Sequence, residues 1–450
     1  MTDLTQGSLR RHVWTMALPM MVGMFVQSLY LFVDLYFVAD LGAEAIAAVS
    51  AAGNLMMLIM ALTQMLNVGC VALIARYTGA REHQQANIVF QQAMLMGLAL
   101  AVLTLVLGFG LSGLYIQLLT ADPVVQQQAQ QFLQAYLPGL ALMFVSTAIA
   151  AALRAVGVVK PTMQVQLITV LMNIVLAPVL IAGWGTGYPL GVFGAGLASS
   201  ISVTLGVLLL WGYFLKSDHS VLQVPKQWRF EGKVWRQITA IGVPAGGEFA
   251  LIFVFTAFVY WVIQDFGTAT QAAFGIGNRI LQAMTMPAMA ISFALPAIVG
   301  QNFGAGQAER VRQSFRIGMQ QMAMVMGLLF ILCQLLAHPL MAFFSDDPLV
   351  LAEGELFMRI ISFNCLSVVL VFSCSGIFQG LGNTWPSLAS SSLRVFVFML
   401  PVLWLSGRSD FSPAMVWYCS AASVLLQGLC SCYLVRWQLR SKLTGLQVVA

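Results

Sequence analysis

Two carboxylates, Asp34 and Glu248, stand inside long apolar runs of this chain. A charge in a membrane-spanning helix costs about 2.5–3.5 kcal/mol on insertion scales, so each asks for a reason. The chemistry open to them is carriage: in low dielectric a carboxyl group can bind and release a proton near neutral pH, or hold another cation. For Asp34 the structural alternative is a helix-end aspartate reaching the outer interface beside Asp40. Counted from His12 at ~1.5 Å per residue it lies roughly 33 Å up its helix, a depth that allows both readings. Glu248 is either a second titrating site or an anchor for a cationic substrate, or else half of a buried pair with Arg394. Measured from the starts of their spans the two lie roughly 20 and 12 Å deep, within reach of long side chains.

The remaining polar groups carry less. Glu353 and Glu355 fall near the start of the tenth span, and Asn173, Ser199, Gln64, Asn67, Gln164 and Gln166 are uncharged residues whose commonest task is interhelical hydrogen bonding. The four histidines are scattered and no nucleophile motif or metal spacing accompanies them, which argues against an enzyme and against a resident cofactor. Of the seven cysteines only Cys70 lies in the first half; all sit in or beside apolar segments and read as small hydrophobes.

The elements that position these groups follow from composition. Charged residues make up 8% of the chain and hydrophobic ones 60%, more apolar surface than a soluble domain could hide. Runs of about 20 apolar residues, the length of a spanning helix, recur from 13–38 to 412–436 and predict twelve helices. The first run is too long for the core of a cleavable signal peptide and has no small-residue cleavage site after it. Lys and Arg fix the orientation: 17 of the 21 fall in alternate connections, and with these inside both termini are cytoplasmic. The formal charge of +5 is spread over short loops, which points away from nucleic acid.

The two halves repeat. An offset of 225 takes Pro19 to Pro244, Gly42 to Gly267, Gly79-Ala80 to Gly304-Ala305, Gly157 to Gly382 and Pro161 to Pro386. Each half holds an even number of spans, so the repeat is parallel, the plan of transporters whose two lobes rock about a central site. The chain divides into an N-terminal lobe (1–215, helices one to six), a polar cytoplasmic linker (216–233) and a C-terminal lobe (234–450, helices seven to twelve). Prolines inside the spans, Pro19 first among them, can bend their helices; packing geometry alone is the plainer account.

With these features the chain resembles the multidrug and toxic compound extrusion (MATE) family. The resemblance rests on Leu18-Pro19 followed by Val33-Asp34, on the Gly-Ala turns after the second and eighth spans, on Gly157-Val-Val-Lys-Pro161 leading to Asn173, and on Gly191-Val-Phe-Gly-Ala-Gly-Leu-Ala198 opening the sixth span. It implies an all-α polytopic protein of two six-helix lobes in a bacterial inner membrane. Such a protein exports amphipathic, often cationic small molecules as a monomer, with H+ or Na+ as the coupling ion. In the family the cation is held in the first lobe by an aspartate, an asparagine and a hydroxyl, matched here by Asp34, Asn173 and Ser199. Many relatives have a second aspartate one turn after that asparagine; Ala177 stands there, which favours protons over sodium. The family's acid in the seventh helix lies about eight residues after the helix proline, whereas Glu248 lies four after Pro244.

The rival reading is a flippase for lipid-linked sugars. A pyrophosphate group would ask for several arginines or lysines in the cavity. The first lobe has none within its predicted spans, and the second has Arg279, Arg359 and Arg394.

Overall fold

The computed structural model describes residues 3–216 and 229–447, with the side chains of 30–35, 52, 54 and 444–447 outside the described set. Most of the predicted linker therefore lies outside the described residues. All regular structure is helical: α1 (Leu9–Ala39), α2 (Ala43–Gly79), α3 (His83–Leu119), α4 (Pro123–Ala155), α5 (Lys160–Ile181) and α6 (Gly191–Lys216) in the first half. The second half holds α7 (Gly232–Ile263), α8 (Thr268–Gly304), α9 (Ala308–Ala342), α10 (Pro348–Ile361), α11 (Asn364–Gly380), α12 (Trp385–Ser406) and α13 (Pro413–Gln447). Among the described residues ten single helices are long and apolar enough to cross a membrane, and α10 with α11 forms an eleventh span bent by 47°. α1, at 31 residues, is also long enough to cross. Most helices overrun the apolar runs that predicted them, because an apolar run marks only the part that lipid covers.

The repeat is written into the backbone. Shifted by 225, α2 superposes on the bounds of α8, α4 on those of α10 and α11 together, and α5 on those of α12. Helix ends show why. Gly42 and Gly267 start α2 and α8 with φ of 108° and 94°, a region that excludes most side chains. Asp122 and Asp347 each cap the next helix, accepting from the backbone N–H two residues on at 2.8 Å, with proline in the first helical position.

At the opposite ends the left-handed residue is Gly157 after α4 and Gly382 after α11, but Arg81 after α2 where Gly306 follows α8. In each case the two backbone bonds of a Schellman turn close the helix, as in Arg81 N–H to Thr78 O at 3.1 Å and Glu82 N–H to Tyr77 O at 2.9 Å.

The chain folds as two compact units that differ from its halves at their first helices. One unit holds residues 1–3 and 22–246, the other 4–21 and 247–450. The changeover residues, Val22 and Gly247, are again 225 apart, and each follows a helix proline (Pro19, Pro244) by three residues. Hydrogen bonds account for it. In the second unit the lead segment is held by Leu4 N–H to Gln301 Oε1 (3.2 Å), Asn302 Nδ2 to Leu4 O (3.1 Å) and Arg310 Nη1 to Gly7 O (3.2 Å). In the first unit Gln92 does the corresponding work. It donates to Arg229 O (2.6 Å) and accepts from Glu231 N–H and Trp235 Nε1, both at 3.0 Å.

Candidate functional site

The first-unit site begins with a polar stripe on α5. Thr162, Gln166, Thr169 and Asn173 recur every three or four residues, which puts them on one face of the helix. That face and part of α6 border a cavity of about 260 Å3, which Gln27 of α1 and Tyr136 and Thr147 of α4 also line. α6 comes close enough to α4 to shape it because a Cβ at Gly196 would lie 2.6 Å from the Phe132 carbonyl oxygen. Asn173 and Ser199 meet in the cavity wall, Nδ2 donating to Oγ at 3.5 Å, and both are buried. Gln166 bridges to α1 by donating to Gln27 Oε1 at 3.1 Å.

The hydrogen-bond directions give the cavity its character. Thr169 donates its hydroxyl proton back to the Gln166 carbonyl (2.8 Å), and Ser202 donates to Ala198 O (2.8 Å). Both hydroxyl oxygens keep lone pairs to offer. Asn173 Oδ1 is buried and accepts no hydrogen bond among the described residues. An unmatched buried acceptor costs about 1–3 kcal/mol, so this one calls for a water or a cation. Oxygen ligands of this kind suit a hard cation. Ala177, fully buried one turn further along α5, contributes only a methyl group.

Of the other sequence candidates, Asp34 lies on α1, but its side chain is outside the described residues. Pro19 sits inside α1, which runs through it unbroken.

Glu248 is in the second unit, beside Ser387 of α12, whose hydroxyl donates to Ser375 Oγ at 3.4 Å. Arg394, seven residues beyond Ser387, places its guanidinium 4.4 Å from the centroid of Phe255, seven beyond Glu248. Two turns, roughly 10 Å, separate the acid from the arginine, and among the described residues no ion pair joins them. The expected depths misled because the two helices do not start level: Glu248 is well inside α7, while Ser387 is in the first turn of α12. Glu355 is the acid that does pair, with Arg359 at 2.8 Å and His338 at 3.3 Å.

Sequence reasoning passed over Thr169, Ser202 and Gln27, although the α5 stripe was there to be read. It also assigned Arg154 to a connection. The structure has it in the last turn of α4, donating to Asn67 Oδ1, so the first unit does carry a basic group within a helix.

A family model, MatE, matches the chain twice, over residues 19–179 and 244–405, at the offset of the internal repeat. The chain belongs to the MatE family. MatE relatives match it along most of their length. The "Probable multidrug resistance protein YpnP" of Bacillus subtilis is 25% identical over 408 residues, covering 89% of this chain and 88% of YpnP. A protein named "FAD transporter" from Shewanella oneidensis is 24% identical over 413 residues, 90% of each chain. Among solved structures, a MOP superfamily transporter of Pyrococcus furiosus superposes with a TM-score of 0.90 at 22% identity, over 98% of both chains. That likeness fixes the fold: an all-α membrane protein of twelve spanning helices in two lobes, each one copy of a parallel repeat. MatE proteins are membrane transporters, and this chain is a transporter of that family embedded in a membrane.

Proposed function

We propose that this protein is a secondary active antiporter of a bacterial plasma membrane. It exports amphipathic, cationic small molecules such as drugs or toxic metabolites, in exchange for protons in preference to sodium. The observation that carries the reading is the first-unit cavity, with the unmatched Asn173 Oδ1 and two hydroxyl oxygens whose protons are given to their own helices. Asp34 of α1 is the acid that binds and releases the coupling proton, and Asn173 and Ser199 are the neutral polar groups of that coupling site. Glu248 is the substrate anchor or second coupling group of the other lobe, and Pro19 is where α1 bends as the lobes alternate. Ala177 in place of an acid leaves too little negative charge for a sodium cage and suits a proton. The protein works as a monomer, with both termini cytoplasmic as the Lys and Arg distribution requires.

The test is reconstitution in liposomes with a cationic dye, under an imposed pH gradient and then a sodium gradient. Wild-type protein is expected to move dye with the pH gradient, and Asp34→Asn and Asn173→Ala to lose at least about tenfold of the rate. Dye movement driven by sodium alone would reassign the ion. An Asp34→Asn protein as active as wild type would make Asp34 structural and shift coupling to Glu248.

A further inference from the structure

The polar stripe of α5 has a counterpart in the second unit. Moved by 225, Thr162, Gln166 and Thr169 become Ser387, Ser391 and Arg394 of α12, and Ser202 of α6 becomes Gln427 of α13. Gly23, against which the Gln166 side chain packs so closely that a Cβ would lie 2.5 Å from its Oε1, becomes Glu248. Gly23 faces Gln166 in one unit, and by the same offset a bulky Glu248 and a small Ser391 stand at those two positions in the other. The same helical seam is thus built twice with different chemistry. Around the first copy the groups are neutral oxygen acceptors, and along the second they are a carboxylate and a guanidinium.

Several of the second seam's polar groups are not matched within the protein. Arg394 Nε is buried without a hydrogen-bond partner, and Arg394 forms no ion pair among the described residues. Gln427 spends its amide N–H on Ser391 Oγ (3.0 Å), which leaves Oε1 buried and unmatched although the residue is 3% exposed. Each buried polar atom left open costs about 1–3 kcal/mol. Phe255 takes one face of the guanidinium and packs on Phe398 at 4.6 Å, so the arginine is held in place by its ring contact. Glu248 and Arg394 are each half-buried.

We propose that this α7–α12–α13 seam is a substrate subsite for amphoteric molecules. Arg394 receives the carboxylate or other anionic group of the substrate, while Glu248 accepts from its cationic, N–H-bearing end. The assignment rests on the export reading above and narrows its substrate class: the exported molecule carries an anionic group beside its positive charge, roughly two helical turns or ~10 Å away. Arg394 is a specificity-determining residue of the transport reaction, not a coupling residue.

The test uses the full-length protein in detergent with no ion gradient, and two dyes that differ at one group: a rhodamine with a free carboxylate and its methyl ester. Binding is read by fluorescence anisotropy. Wild type is expected to bind the free-carboxylate dye more tightly. Arg394→Gln should weaken that binding by about tenfold or more, the scale of a lost charge-assisted hydrogen bond, and leave the ester within about twofold. Glu248→Gln should weaken both. Arg394→Lys keeps the charge over the Phe255 ring but loses the planar fork; if the glutamine variant does not fold, the lysine variant is read in the same way. Equal losses for the two dyes, no loss for either, or a wild type that binds neither would overturn the proposal. Because no gradient is applied, its failure leaves ion-driven export standing. A failure of dye efflux in liposomes, in turn, leaves this binding result to be read by itself.

Discussion

Glu248 and Arg394 lie along one seam of the second unit, two helical turns apart, and each has a different neighbour: Ser387 beside the acid and the Phe255 ring under the arginine. Breaking a buried ion pair typically costs 3–5 kcal/mol, roughly, through the charge left stranded. Here neither substitution strands the other. A double-mutant cycle of Glu248→Gln and Arg394→Gln, followed by thermal unfolding in detergent, is expected to give a coupling energy below about 0.5 kcal/mol. A coupling of about 2 kcal/mol or more would mean that the two side chains meet.

Ala177 leaves the first-unit cavity short of charge beside Asn173. Supplying the acid should change the ion. Ala177→Asp is expected to make dye efflux respond to a sodium gradient and to create measurable binding of radioactive sodium. Burying the new carboxylate lowers stability by about 2.5–3.5 kcal/mol when no cation is bound. Unchanged ion preference with intact folding would argue that Asn173 does not face the ion.

Gln92 joins α3 to the lead segment of α7 through three hydrogen bonds, although it is 1% exposed. Gln92→Leu removes all three, for an expected loss of about 2–3 kcal/mol in unfolding free energy. Gln92→Glu keeps the two accepting bonds and loses only the donor to Arg229 O, so it should fall about midway. Hydrogen exchange at residues 229–236 should rise in the leucine variant; protection equal to wild type would show that the segment is held by something else.

Arg81 holds a left-handed conformation (φ 60°) at the position where Gly306 stands in the second half. A left-handed L-residue costs roughly 1–2 kcal/mol, of which a glycine's greater freedom in the unfolded chain returns a part. Arg81→Gly is therefore expected to stabilise the protein by about 0.5–1 kcal/mol, read as a higher Tm in detergent. The mirror change, Gly306→Ala, should destabilise by a similar amount. A lower Tm for Arg81→Gly would mean that the arginine side chain contributes more than its backbone costs.

Much of this was legible in the chain. Local rules decided the helix ends: Asp-Pro at 122–123 and 347–348 makes caps, and Gly42, Gly267, Gly157 and Gly382 make turns that other residues resist. The paired hits at Gly and Pro gave the repeat offset that the family match later reproduced. The stripe Thr162, Gln166, Thr169, Asn173 was equally local, a polar face readable from helical periodicity, and went unread because neutral polar groups are common inside membrane bundles. Arg154 was misassigned for a different reason. Its helix runs past the apolar stretch, and nothing in an apolar count says where a helix ends.

By itself the sequence determined what depends on neighbours along the chain. It fixed the membrane class, the spans, the caps, the turns and the duplication, because hydropathy and backbone preference act over a few residues or one helix length. Only the tertiary structure decided which side chains share a seam. Glu248 is level with Ser387 and not with Arg394 because α7 and α12 are staggered, and that stagger is set by packing of residues such as Gly247 on Leu388 and Phe255 on Phe398. The break between α10 and α11, the exchange of the lead segments, and the acceptor left open at Asn173 belong to the same class. Each depends on the register between helices that are distant in sequence, and periodicity within one helix carries no information about that register.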